Sequence, residues 1–187
     1  MLDRLAGNEA MKQHLQAALA GGKLAHSLLL CGEKGCGAGF AARCLAADYL
    51  YPQGGPAAEA VLAGQAPECL EVRGEGASGQ IRIERIRQVR EEVFHSALSA
   101  QGRVVLLYGA QNLNSASANA LLKVLEEPPE GVLFLLTASS PAAVLATIRS
   151  RCAAYDLSPL PPVQCAAWLK NQRPACREAE FLAAVYE

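Results

Sequence analysis

The sequence predicts an α/β fold, a parallel sheet with helices on both faces. Three observations predict it. Short, mostly apolar runs at 27–31, 103–107 and 132–137 read as strands buried on both sides. Stretches of helical period lie between them, the clearest at 83–98, where Ile83, Ile86, Val89 or Arg90, Val93 and Ala97 recur on one side. A glycine-rich turn at 32–39 joins the first strand to the helix after it. Buried strands alternating with helices imply a parallel sheet covered twice.

The elements follow in order. Residues 2–20 carry Leu5, Met11, Leu15 and Leu19 near one face and predict one helix, stopped by Gly21-Gly22. Strand 27–31, the glycine loop and a helix at 40–50 come next, then a turn-rich break from Pro52 to Pro56. A short helix is expected at 57–62, a strand at 69–72 and a loop at 73–80. Helix 83–98 is flanked and lined by Arg82, Arg85, Arg87 and Arg90 among Glu84, Glu91 and Glu92, the pattern of a solvated face. Helix 115–125 has Ser115 or Ser117 as its cap and ends at Pro128-Pro129. Pro141 opens a helix to about residue 148, and 153–157 reads as a further strand.

Ser158 to Pro162 is a proline-rich hinge, and 163–169 and 177–186 read as helical. The chain is therefore divided into an α/β domain at 1–158 and the beginning of a helical domain at 159–187. It stops inside that second pattern, so a fragment of a longer protein is expected.

The bulk numbers narrow the function. With 187 residues, 51% hydrophobic and 19% charged, the chain can bury a core without staples. A net charge of −1 lacks the basic excess of a protein that grips DNA alone. The seven cysteines include no C-x-x-C pair, so zinc is not signalled, and a reducing cytoplasm is the expected setting. No apolar run is long enough to span a bilayer, and no membrane partner is expected. His14, His26 and His95 read as structural or surface residues, not ligands.

The glycine turn has half of a phosphate-binding motif. A Walker A loop reads G-x-x-x-x-G-K-[ST]: backbone N–H groups cradle phosphates, the lysine reaches the β/γ-phosphates and the hydroxyl holds Mg²⁺. Here the loop is Gly32-Glu33-Lys34-Gly35-Cys36-Gly37-Ala38-Gly39. Gly32 and Gly37 stand at the motif's spacing, but the lysine position is Ala38 and the hydroxyl position is Gly39. The Walker B acids are also missing, because strand 103–107 runs into Tyr108-Gly109 and the next carboxylate along the chain is Glu126. The scaffold is that of a P-loop ATPase without the groups that stabilise phosphoryl transfer.

A longer signature lies downstream. Asn119-Ala120-Leu121-Leu122-Lys123-Val124-Leu125-Glu126-Glu127-Pro128-Pro129 is followed by Phe134-Leu135-Leu136-Thr137 and by Thr147-Ile148-Arg149-Ser150-Arg151-Cys152. Leu24-Ala25-His26-Ser27 and Ile81-Arg82-Ile83-Glu84-Arg85-Ile86-Arg87 lie upstream. In this order and at this spacing the segments resemble the AAA+ clamp-loader subunits of bacterial DNA polymerase III, gamma/tau and delta prime, from Leu5 to about Leu169. The degenerate loop makes the resemblance strongest to the delta-prime kind.

The resemblance implies a non-catalytic stator in a ring that opens the sliding clamp and loads it on primed DNA, with gamma/tau and delta subunits as partners. It implies that residues 159–187 begin a helical lid. It also implies that Arg151 is an arginine finger reaching a neighbour's ATP, supported by Ser150 and Cys152, with Arg149 at the interface. ATP, Mg²⁺ and zinc are not expected as cofactors. The family's four-cysteine zinc module has no counterpart between Asp48 and Glu68, although Cys44 and Cys69 flank the gap. Thr137 and Ser139, at the family's nucleotide-sensing position, are expected to make local hydrogen bonds. Two alternatives stand beside this reading: a divergent gamma/tau-type ATPase using Lys34, and a stand-alone anion-binding module using the N–H groups of Gly35 to Gly39.

Overall fold

The structure is a computed structural model that describes residues 1–76, 78–95 and 102–172. Five strands form one parallel sheet: β1 (Ser27–Cys31), β2 (Cys69–Val72), β3 (Arg103–Leu107), β4 (Val132–Ala138) and β5 (Ala153–Asp156). Their order across the sheet is β2-β3-β4-β1-β5. The apolar runs become the middle of the sheet, and every residue of β1 and β4 is buried. β5 lies at an edge and alternates between half-buried and exposed.

Strand geometry sends successive side chains to opposite faces, so each run feeds two cores. Leu28, Leu30, Val104, Leu106, Leu133 and Leu135 pack with helices α1 (Glu9–Ala20), α2 (Ala38–Leu50) and α3 (Pro56–Leu62). Leu29, Val105, Leu107, Phe134 and Leu136 face the other way. They pack with α4 (Ile83–His95), α5 (Ser115–Glu126) and α6 (Ala146–Arg149). Each such side chain contributes about 1.5–3 kcal/mol relative to exposure. On α4, Ile86, Val89 and Val93 are buried while Glu84, Arg87 and Glu91, with Arg82 just before the helix, are exposed; Arg85, Arg90 and Glu92 of the expected solvated face are half-buried, and Arg85 donates to Glu71 O.

Three local expectations need correction. Residues 2–20 are not one helix: a 3-10 turn at Leu2–Arg4 precedes α1. Gly7 (φ 67°) and Asn8 (φ 55°) break the path, and the Asn8 amide is held there by two hydrogen bonds with the backbone of Ser158. The cap of α5 is Asn114, whose Oδ1 accepts from Ser117 N at 2.8 Å. Ser115 is already the first helical residue, and Ser117 is the donor in the cap instead of its acceptor. The stretch from Pro141 is also split, into a 3-10 turn at Pro141–Ala143 and the short α6, because Val144 is buried in extended backbone between them.

The sheet ends at Asp156, and Leu157 N still donates to Cys31 O. Past Ser158 the chain enters α7 (Pro162–Gln172). The predicted helix at 177–186 and the positions 96–98 lie outside the described residues, as does the side chain of His95.

Candidate functional site

A parallel sheet delivers the loops after its strands to one end, which is where ligands bind in such folds. Here the loop after β1, the turn after β3 and the end of β4 line one cleft of about 500 Å³. Gly32, Glu33, Lys34, Gly35, Gly37, Ala38 and Gly39 form one wall, and Gly109, Gln111, Thr137, Ala138 and Ser139 form the rest. Gly37 caps α2 in left-handed backbone (φ 85°), a conformation that a side chain would strain. The first-turn N–H groups of α2 begin at Ala38 and have no helical acceptors. The loop thus keeps the left-handed glycine turn into α2, while Cys36 N is already bonded to Glu33 O within the loop.

The side-chain half of the motif is filled by something else. Tyr108, at the end of β3, packs against the position where the motif carries its metal-binding hydroxyl: a Cβ on Gly39 would lie 3.2 Å from the Tyr108 ring. The Tyr108 hydroxyl donates to Glu71 Oε1 at 3.1 Å and accepts from Arg43 Nε at 2.9 Å. Arg43 also pairs with Glu71 at 2.8 Å and donates to Leu62 O. Arg73 pairs with Glu71 Oε2 at 3.1 Å and lies flat over the Tyr108 ring at 3.7 Å, a cation–π contact.

The charges reflect this closed network. Burial opposes ionisation of Glu71, but its bond from Arg73 and the nearby Arg43 hold its carboxyl below the usual range. Burial is also the first cause that pushes the Tyr108 phenol up to about 12. Sequence order hid Glu71: it stands at the end of β2, and the pairing Glu71↔Leu106 brings it to the strand that should carry the acids. It is an acid in the right neighbourhood whose oxygens are already committed to two arginines and a phenol.

The other polar groups of the cleft offer little. Thr137 Oγ1 accepts from Gly109 N at 3.2 Å, which is the local hydrogen bond expected for it. Lys34 and Glu33 are the charged residues on the cleft wall, and both are exposed on its rim. A catalytic Mg²⁺–nucleotide needs a lysine, a hydroxyl and a free acid, and this donor set does not fit it. The flanking thiols Cys44 and Cys69 sit inside the core, where burial pushes each to about 12. His14 stacks edge-on against Tyr155 and the His26 ring bonds Leu125 O, so both are structural.

Ser150-Arg151-Cys152 lies at the other end of the sheet. β1 pairs in parallel with β5, with Leu28 opposite Ala153, so the segment before β5 sits where β1 begins. The phosphate loop sits where β1 finishes. Cys152 packs on the core, and burial pushes its thiol up to about 12. Ser150 Oγ donates to Thr147 O and accepts from Arg151 Nη1. Arg151 Nη1 also donates to Thr147 O at 3.0 Å. Its Nε and Nη2 both reach Glu126 Oε1, at 2.8 and 2.5 Å. Arg149 bonds Pro141 O and is otherwise exposed.

The family described as "DNA polymerase III, delta subunit" matches residues 7–161. This chain belongs to that family. It is similar to DNA polymerase III subunit gamma/tau of Mycobacterium tuberculosis, with 34% identity over 84% of this chain and 28% of the relative. It is also similar to DNA polymerase III subunit delta' of Yersinia pestis, with 40% identity over 60% of this chain and 33% of that protein. The chain thus spans less than half the length of the curated relatives it matches. Among solved structures, a DNA polymerase III gamma subunit-related protein of Thermotoga maritima superposes with a TM-score of 0.58, at 21% identity over 90% of this chain and 57% of that one. The structural likeness supports the fold, and the family match with the curated relatives places the chain among DNA polymerase III clamp-loader subunits.

Among the described residues no helix is long and apolar enough to cross a membrane.

Proposed function

We propose that this chain acts as a delta-prime-type subunit of the clamp loader: it hydrolyses no ATP itself and offers Arg151 to the ATP site of an adjoining gamma/tau-type subunit. The observation that carries this is the position of Arg151. It stands at the opposite end of β1 and β5 from the chain's own phosphate loop, half-exposed, on a segment anchored by Cys152. An arginine so placed has no phosphate to serve in its own chain. Its planar, permanently charged fork suits phosphate charge across an interface.

The loss of intrinsic hydrolysis rests on the other end. Tyr108 fills the space beside Gly39, and Glu71 is neutralised by Arg43 and Arg73. In this reading the ring contains gamma/tau and delta partners, the sliding clamp and primed DNA are reached through that assembly, the setting is the cytoplasm, and residues from 159 onward begin a lid.

The test is reconstitution of the loader with Arg151→Ala. Arginine fingers supply about 10³ to 10⁵ in rate. Hydrolysis at the adjoining site is expected to fall by about 10³ or more. Unchanged clamp-stimulated hydrolysis and loading would sink the proposal.

One observation favours a second reading, a divergent gamma/tau-type ATPase: the gamma/tau match covers more of this chain than the delta' match. Lys34 would then have to reach the phosphates from the cleft rim. Titration of the full chain with ATP and Mg²⁺ separates the two, since micromolar affinity with turnover belongs only to the ATPase.

A further inference from the structure

We propose that Glu126 is an intramolecular latch on Arg151, a competitor that occupies the finger until a phosphate displaces it. The inference rests on the arginine-finger reading and adds to it a competitor built into the same chain.

The geometry starts from the donors of the guanidinium. An arginine has five N–H groups. Nε donates to Glu126 Oε1, Nη1 donates to Thr147 O and Ser150 Oγ, and Nη2 lies 2.5 Å from the same glutamate oxygen as an ion-pair contact. Among the described contacts only Nη2 keeps hydrogens without an acceptor, and Glu126 Oε1 stands directly against it. A planar oxyanion fork on Arg151 therefore cannot form while Glu126 is in place. The face that would grip a phosphate, Nε with Nη2, is the face that Glu126 covers.

The latch is also weak, as a displaceable group must be. The Arg151 and Glu126 side chains are 34% and 48% exposed, so water and salt screen the pair. Both contacts use a single oxygen, Oε1, instead of the bidentate pairing that makes such bridges strong. Glu126 is moreover the last residue of α5, with a second carboxylate, Glu127, directly after it. Carboxylates at a helix C-terminus oppose the helix dipole. A glutamate serving only the helix is misplaced here, whereas one that needs a cation nearby is not.

Resting and engaged states then differ by one exchange. In the free chain the guanidinium is oriented, with its Nη1 side fixed on Thr147 and Ser150. When a triphosphate arrives across the interface, its higher charge displaces the Glu126 carboxylate from Nε and Nη2. The Nη1 contacts persist and keep the finger aimed. Glu126 thus lowers the finger's affinity for phosphate by the strength of an exposed ion pair.

The experiment uses the reconstituted loader with ATP as the probe. Glu126→Gln and Glu126→Ala are each compared with the native chain, alone and combined with Arg151→Ala. Removing the competitor is expected to raise kcat/KM at the adjoining site about two- to fivefold, carried by a lower KM. In the Arg151→Ala background the same substitutions should change nothing. A kcat/KM that is unchanged, or lowered as a purely structural or orienting role would make it, overturns the latch. Hydrolysis that is indifferent to Arg151→Ala overturns the finger itself, a separate outcome read in the same series.

Discussion

Arginines stand at both ends of this sheet, and they are held in opposite ways. At the end where the strands finish, Arg43 and Arg73 share one half-buried carboxylate, Glu71, and a half-buried phenol, Tyr108, with contacts from several directions. At the end where the strands begin, Arg151 leans on one oxygen of an exposed glutamate and on Thr147 O and Ser150 Oγ just before it. The first arrangement consumes its charge to build structure. The second keeps a charge oriented and held by displaceable contacts. The comparison separates cations used inside the fold from one held at its surface, a distinction that motif matching alone does not make.

The largest effect should come from breaking the displaceable end. Arg151→Ala is expected to cost about 10³-fold or more in hydrolysis at the adjoining site. The thermal unfolding of the chain should shift by no more than about 0.5 kcal/mol, as for other exposed positions. A large loss of stability would mean that the two ends are not different in kind.

Breaking the consumed end should do the reverse. Glu71→Gln leaves two arginines and a phenol with one weak partner and is expected to destabilise the fold by about 2–3 kcal/mol. Its folded carboxyl titrates below the ordinary 4.5. The stabilisation is therefore present above about pH 4.5 and lost as pH falls through the lowered folded value. The gap between native and Glu71→Gln midpoints in urea should close over that acid range. A gap that stays constant with pH would contradict the network.

A smaller effect tests whether the metal position is blocked. Gly39→Thr brings a Cβ to within 3.2 Å of the Tyr108 ring, and overpacking of this kind costs about 1–3 kcal/mol. Replacing a helical glycine offsets part of it, by about 0.5 kcal/mol. Tyr108→Ala added to Gly39→Thr should recover the packing loss, measured as a rise in the denaturation midpoint relative to Tyr108→Ala alone. The smallest change is Asn114→Ala, about 1 kcal/mol for a lost helix cap. It loosens α5, whose far end carries Glu126, and should leave the acid-end network unaffected by amide exchange.

The apolar, buried runs at 27–31 and 103–107 became strands with the predicted bounds, and so did the half-buried stretch at 69–72. The glycine loop was equally legible, since left-handed backbone at Gly37 selects glycine in the sequence itself. The miss at 2–20 has a physical source. Its apolar residues keep helical period across the break, and the break is enforced by Asn8 bonding Ser158, a contact 150 residues away in the chain. The cap at Asn114 was misread because serines just inside a helix look like caps.

By itself the sequence determined that this is a two-face parallel sheet with a glycine loop that lacks its lysine, its hydroxyl and its following acids. Those facts are local: periodicity, glycine positions and missing residue types are all written along the chain. Only the tertiary structure decided what stands in for the missing groups. Strand pairing puts Glu71 beside Tyr108, and helix α5 carries Glu126 to Arg151, partners 37 and 25 residues apart in sequence. Whether a charge is consumed or displaceable depends on its neighbours in space, and the order of strands in the sheet sets those neighbours.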